Sequence, residues 1–174
     1  MPEEADQITL PTAGDWLDKQ LHALFKRKAP DADISILQVK SLKERHAFVT
    51  DSAEPVRAEF IVNGKPTVYD VTDEMREGCR MIVPPIVKAL HKLVATFDPD
   101  FQAKLRENVL LGGGGSQIIG LGGVLEEAMQ EMLGSGRVVH VEEPTYAGAN
   151  GALKIAHDFP EDFWKRLGTT EDHG

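Results

Sequence analysis

The sequence predicts an α/β fold with a smaller helix-plus-hairpin lobe inserted into it. Three observations carry that expectation. Hydrophobic spacing runs in the order strand, helices, hairpin, helices, then strand–helix–strand–helix. An Asn63-Gly64 pair, flanked by extended runs, marks a tight hairpin amid helical segments. Pro84-Pro85 interrupts a long helical stretch and marks a seam between two lobes.

Taken in order, Ile8, Thr9 and Leu10 read as the end of a short strand that Pro11 stops. Thr12-Ala13-Gly14-Asp15 opens a helix in which Trp16, Leu17, Leu21, Leu24 and Phe25 recur at helical spacing. Lys26-Arg27-Lys28 places positive charge at its C-terminal end, where the helix dipole favours it, and Pro30-Asp31 breaks it. A shorter helix is expected from Ile34 to Glu44, with Phe48 and Val49 extended after it. Val56 to Val62 and Thr67 to Val71 form the hairpin, and Thr72 is placed to cap the next helix. Two abutting helices follow, one ending near Ile82, one running from Pro84-Pro85 to Phe97. Asp98-Pro99 starts another, ending about Glu107. Asn108 to Leu111 reads as a buried strand, Leu121 to Leu133 as an apolar helix, Val138 to Val141 as a strand, and Gly148 to His157 as a small-residue helix. A last helix is expected from Pro160 to Leu167, with a frayed tail from Gly168. The expected division is a base lobe of residues 1–13 and 82–158, an inserted lobe of 14–81, and a C-terminal helix and tail of 159–174.

Composition narrows the function. The chain has 174 residues, 41% of them apolar, enough for a real core. Lys plus Arg is 19 and Asp plus Glu is 28, so the net charge is 19 − 28 = −9, which argues against binding nucleic acid or an anionic membrane surface. Cys79 is the single cysteine, so no internal disulfide forms, which fits a reducing compartment. No basic n-region, signal-type apolar run or membrane-length segment is visible, and a cytoplasmic protein without a transmembrane segment is expected.

Several familiar patterns fail. The glycine run Gly112 to Gly115 lacks the following Lys-Ser/Thr of a P-loop, and no register gives G-x-G-x-x-G. Ser116 is not a nucleophile elbow, because Ile118 stands where the second glycine belongs. The six histidines are scattered without a metal-binding spacing, so no metal site is expected. His140 and Glu142 would share a strand face, most simply as an exposed rim pair. Adjacent Glu142 and Glu143 would point to opposite faces, a poor acid/base dyad. Cys79 lies amid helical residues and reads as a packed thiol.

One pattern survives. Val109-Leu110-Leu111 leads into Gly112-Gly113-Gly114-Gly115-Ser116-Gln117 and then the helix from Leu121. Glycines let backbone approach a flat or phosphorylated ligand closely, and a nearby helix N-terminus welcomes polar atoms. A tight turn alone would need one or two glycines; four favour a ligand.

This stretch resembles the adenosine-binding motif of the actin superfamily. Thr12-Ala13-Gly14-Asp15-Trp16-Leu17-Asp18 resembles the G-D-x-x-D helix start of bacterial actins. Leu42 to Val49 resembles the actin segment whose Lys-Glu pair holds the nucleoside, and Thr72 through Leu93, with its proline break, is similar to the corresponding helices of MreB. Glu143-Pro144-Thr145-Tyr146 and Gly148 to Ala156 resemble the strand–turn–helix that ends the actin core. The closing Phe163 to Gly168 is unlike an MreB ending and resembles another bacterial branch, whose filaments organise magnetosomes.

The resemblance covers nearly the whole chain and implies the second domain of an actin-like, ribonuclease-H-like α/β fold. It implies that Gly113, Gly114, Gly115 and Ser116 line the adenosine side of ATP or ADP, with Gln117 near the purine face and Lys43 and Glu44 at the purine and ribose. Lys40, three residues before Lys43 on the same helical face, and Gly14 and Asp15 at a helix start are further candidates. A carboxylate accepts from ribose hydroxyls and a lysine stem covers a base edge, although Lys43-Glu44-Arg45 taken alone is an ordinary solvated face. Actin-type ATPases hold phosphates and metal with two D-x-G-x-G/T-like hairpins, and neither occurs in these 174 residues. Catalytic residues and a metal site are therefore not expected here, Mg would come only with the other domain, and the chain alone is expected not to hydrolyse ATP. The implied function is a cytoskeletal filament protein or a truncated relative. It would bind adenine nucleotide and meet filament subunits, either itself or a full-length paralogue. The alternatives are half of a sugar- or acetate-kinase-like enzyme, or a truncated fragment without function.

Overall fold

A computed structural model describes residues 7–51, 54–160, 162 and 164. The first helix, α1 (Gly14–Lys28), buries Leu17, Leu21, Leu24 and Phe25 as its spacing predicts, and also Asp18, which hydropathy alone would place outside. A two-residue strand, β1 (Ala32–Asp33), follows, held partly by the Lys26 ammonium donating to Ala32 O at 2.7 Å. Helix α2 (Ile36–His46) starts two residues later than expected, because the Ser35 hydroxyl accepts from Gln38 N at 3.1 Å and caps it.

Strands β2 (Arg57–Val62) and β3 (Lys65–Asp70) form the hairpin, with Val62 opposite Lys65 and β1 antiparallel to β2's far edge. Asn63 at φ 50° and Gly64 at φ 75° are both left-handed, as a type I′ turn requires. Ala58 and Phe60 alternate into the core, where Phe60 lies 6.0 Å from Phe25 and 5.8 Å from Tyr69 between ring centroids. Phe60 is fully buried, so Phe60→Ala is expected to cost about 3–5 kcal/mol of unfolding free energy, read from chemical denaturation.

Helix α3 (Thr72–Arg80) begins at Thr72, but Thr72 does not cap it. Its hydroxyl accepts from Val56 N at 2.8 Å and donates to Asp70 Oδ1 at 2.6 Å, tying the hairpin's open end together. The bonds that the Thr72 hydroxyl and the Thr72 N–H donate to Asp70 Oδ1 hold the Asp70 carboxyl below its ordinary value. Helix α4 (Val83–Ala95) carries Pro84 and Pro85 in its first turn, where their missing N–H groups have no intrahelical partner to lose. Helix α5 (Pro99–Arg106) is capped by Asp98, whose carboxylate accepts from Asp100 N at 3.0 Å.

The second sheet pairs β4 (Val109–Leu111) parallel with β5 (Val138–His140), joined by α6 (Leu121–Leu133). Helix α7 (Ala147–Asp158) follows. β4 is less buried than its apolar sequence suggests: Val109 and Leu111 pack against the core while Leu110, between them, is 69% exposed, so one face of the strand is covered and the other is open. β5 ends at His140, so Glu142 lies beyond it and the two share no strand face. Residues 8–10 form no strand; neither sheet offers them a ladder, and an extended segment needs one to satisfy its backbone. The expected helix of 160–167 and the tail lie outside the described residues, apart from positions 160, 162 and 164.

One continuous core runs from Leu17 and Phe25 through Phe48, Val71 and Val83 to Leu125 and Met129. Cys79 is part of it, and burial pushes its thiol up to about 11. Native Cys79 is therefore expected to resist disulfide-exchange reagents at pH 8 and to react once unfolded. The same shift favours the neutral thiol in the folded state. Its contribution is whole below the ordinary thiol value and fades as pH rises towards 11, which denaturation at stepped alkaline pH will show.

Candidate functional site

Three segments meet around a cavity of about 750 Å³: the entry to α1 (Thr12 to Leu17), one face of α2, and the glycine loop between β4 and α6. The extended stretch after α2 joins them. Phe48 pairs in parallel with Ile119, Val49 N donates to Ile119 O at 3.0 Å, and Ile119 N donates to Ala47 O at 3.0 Å. The loop carrying the glycines is thus fastened to the segment that follows the charged helix.

The four glycines separate into two kinds. Gly112 is dictated by packing, since a Cβ there would lie 2.9 Å from Val141 Cγ2. Gly113 is dictated by backbone, at φ 81°, with its N–H donating to Pro144 O at 2.9 Å. Gly114 and Gly115 have neither excuse: their φ values lie outside the left-handed region, and a Cβ on either meets no atom within 4 Å. Both line the cavity, so side chains there would project into open space beside it. Ser116 is buried and its hydroxyl donates to Gly113 O at 2.7 Å, closing the short 3-10 turn Gly114–Gln117. Gln117 Nε2 donates to Thr145 Oγ1 at 2.9 Å, reaching across to the turn before α7.

Of the sequence-predicted residues, Gly14, Asp15, Lys40, Lys43, Glu44, Gly114, Gly115, Ser116 and Gln117 line this one cavity. Gly113 does not; it shapes the loop from behind. Lys40 and Glu44 are exposed at the rim. Lys43 is different: its ammonium lies 2.7 Å from Asp18 Oδ1 and donates to Gly14 O at 3.3 Å. Sequence reasoning missed the apolar back wall of Leu17, Ile82 and Ile86, which comes from helices distant along the chain. It also missed Thr145, whose place only the bond from Gln117 reveals. Thr12 Oγ1 on the wall is buried without a hydrogen-bond partner among the described residues. An apolar back, a polar rim and a flat glycine floor suit a planar ring carrying a hydroxylated group. No cluster of metal-ligating side chains occurs among the described residues, and no described helix is long and apolar enough to cross a membrane.

No family model matches the chain. It is 32% identical over 168 residues to the actin-like protein MamK of Paramagnetospirillum magneticum, covering 97% of this chain and 48% of that protein. MamK of Magnetospirillum gryphiswaldense is also 32% identical over 168 residues, with 97% and 46% covered. Among solved structures, the MamK double helical filament superposes with a TM-score of 0.87 at 32% identity, over 92% of this chain and 49% of that one. A non-polymerising MamK mutant bound to AMPPNP superposes at 0.84 and 31% identity, over 91% and 48%. The fold is the actin-like α/β fold. Within it the chain is similar to MamK, and it spans about half the length of the MamK proteins it matches.

Proposed function

We propose that this chain binds the adenosine side of ATP or ADP in the cavity and takes part in assembling an actin-like filament, either with itself or with a full-length paralogue. Gly114, Gly115, Ser116 and Gln117 would form the floor, shaped by Gly113, with Lys43 and Glu44 at the purine and ribose. Lys40, Gly14 and Asp15 would complete the rim. The observation that carries this is the pair Gly114 and Gly115, glycines that neither backbone nor packing requires, facing the cavity. The AMPPNP bound by a MamK relative of the same fold supports the nucleotide, and the MamK filament supports the assembly. The proposal includes the lobe division at residues 14–81, a cytoplasmic, cytoskeletal setting, and magnetosome organisation as the cellular role. Actin-like filaments grow by head-to-tail contacts that need not close, and the chain would join such a polymer through contacts of that kind.

Two measurements test this. Calorimetric titration of the chain with adenosine and ADP is expected to show one site. Co-sedimentation with a full-length MamK filament, with and without ATP, is expected to show the chain in the pellet or a changed filament length. Absence of any effect on either sinks the assembly reading; absence of a binding isotherm sinks the nucleotide reading.

A further inference from the structure

We infer that Asp18 is a positioning residue for Lys43, holding its ammonium inside the protein so that the cavity meets the lysine's aliphatic stem rather than its charge. This rests on the nucleotide reading above and names the part of the ligand selected there: an uncharged nucleoside edge rather than a phosphate.

Asp18 lies on the second turn of α1 and is 3% exposed. Lys43 lies near the end of α2, its side chain is 13% exposed, and the residue lines the cavity. The 2.7 Å contact between them is the one ion pair in which both side chains are largely buried among those of the described residues. Gly14 O accepts a hydrogen bond from the ammonium at 3.3 Å, and a Cβ on Gly14 would stand 3.5 Å from Nζ, in contact with the seated ammonium. Neither charge would sit in this interior alone, since an unpaired buried charge carries a desolvation penalty that its partner offsets. Lys40, one turn earlier on the same helix, is the contrast: it is exposed at the same cavity and makes no ion pair among the described residues. Two lysines thus border one site, and Asp18 withdraws the charge of only one.

The test uses the full chain and the near-isosteric Asp18→Asn variant. Amine acylation followed by mass spectrometry reads each lysine separately and needs no ligand. Lys43 in the wild type is expected to react at least about tenfold more slowly than Lys40, the factor that ~1.4 kcal/mol of pairing gives. Asp18→Asn is expected to bring the two rates together. The ratio of adenosine to AMP affinity gives the second readout: Asp18→Asn should shift it towards AMP, because the freed ammonium attracts phosphate. The double variant Asp18→Asn/Lys43→Met should return the ratio to the wild-type value, and with both charges gone it has no unpaired buried ion to stop it folding. Equal reactivity of Lys40 and Lys43 in the wild type overturns the inference. So does an unchanged ratio in Asp18→Asn when the wild type binds adenosine. A wild type that binds neither ligand while Lys43 stays protected overturns the nucleotide reading and the selectivity drawn from it, and leaves the positioning itself standing.

Discussion

Gly115→Leu is expected to weaken adenosine binding by about tenfold to a hundredfold, a loss of ~1.4–2.8 kcal/mol, while leaving the melting temperature of the free chain unchanged. Gly115→Ala sharpens the case by giving stability and binding opposite signs. Gly115 has no left-handed φ and no atom within 4 Å of a built Cβ, so alanine there relieves unfolded-chain entropy without native strain. Such replacements stabilise by about 0.4–1 kcal/mol. A loop whose glycines served only its own turn would behave otherwise, because alanine would strain the fold and lower stability. Gly113→Ala is the internal control. At φ 81° it should lose about 1–2 kcal/mol of stability, as its role is to turn the chain and not to face the ligand. Calorimetric titration beside thermal melts of the three variants separates the readings. If Gly115→Ala destabilises the chain, or Gly115→Leu binds as well as the wild type, the glycine floor is structural.

What the sequence made legible depended on how local the cause was. Asn63-Gly64 specifies its own backbone, and Pro84-Pro85 cannot sit in a helix interior without breaking it, so both are readable without the rest of the molecule. The apolar run of α6 likewise falls on Leu121–Leu133 as expected. Most of the misses are decided by partners farther along the chain; the late start of α2, set locally by the Ser35 cap, is not. Residues 8–10 have strand chemistry but no ladder to join, whereas β1, with little strand chemistry, forms because Val62 and Ile61 of β2 lie beside it. Thr72 was suited to cap α3, and its hydroxyl went to Val56 and Asp70 instead.

The candidate site divides the same way. The glycine run announced itself, and Lys43-Glu44 was found by resemblance, because both are continuous in sequence. Which glycines turn the chain and which face the cavity depends on Val141 and Pro144, residues 25 or more positions away, and could not be read locally. Asp18 was legible only as part of a helix-start motif. Nothing in its neighbours signals that it is buried, since its partner Lys43 arrives on another helix.

Gly120→Ala is expected to be the most damaging of the glycine replacements, lowering stability by about 2–5 kcal/mol, the sum of left-handed strain and overpacking. Gly120 sits at φ 80°, and a Cβ there would lie 2.2 Å from Thr50 Cγ2. Thr50 directly follows the extended stretch whose bonds to Ile119 fasten the α2 side of the cavity to the glycine loop. Adding a methyl group at Gly120 therefore pushes on the junction itself. Total stability of a single domain is about 5–15 kcal/mol, so a loss of this size is a large fraction of it. The two causes are separable. Thr50→Ala removes the colliding methyl but not the backbone strain, so the double variant should recover the overpacking share, about 1–3 kcal/mol, and no more. Adenosine affinity should follow the same order, falling in Gly120→Ala and recovering in part in the double variant, because Ala47 and Ile119 line the cavity and are joined across this junction. Denaturation and titration on the same four proteins decide it. Full recovery of stability by Thr50→Ala would mean that the left-handed backbone carries no strain, and no recovery would mean that the junction is not where the collision is felt.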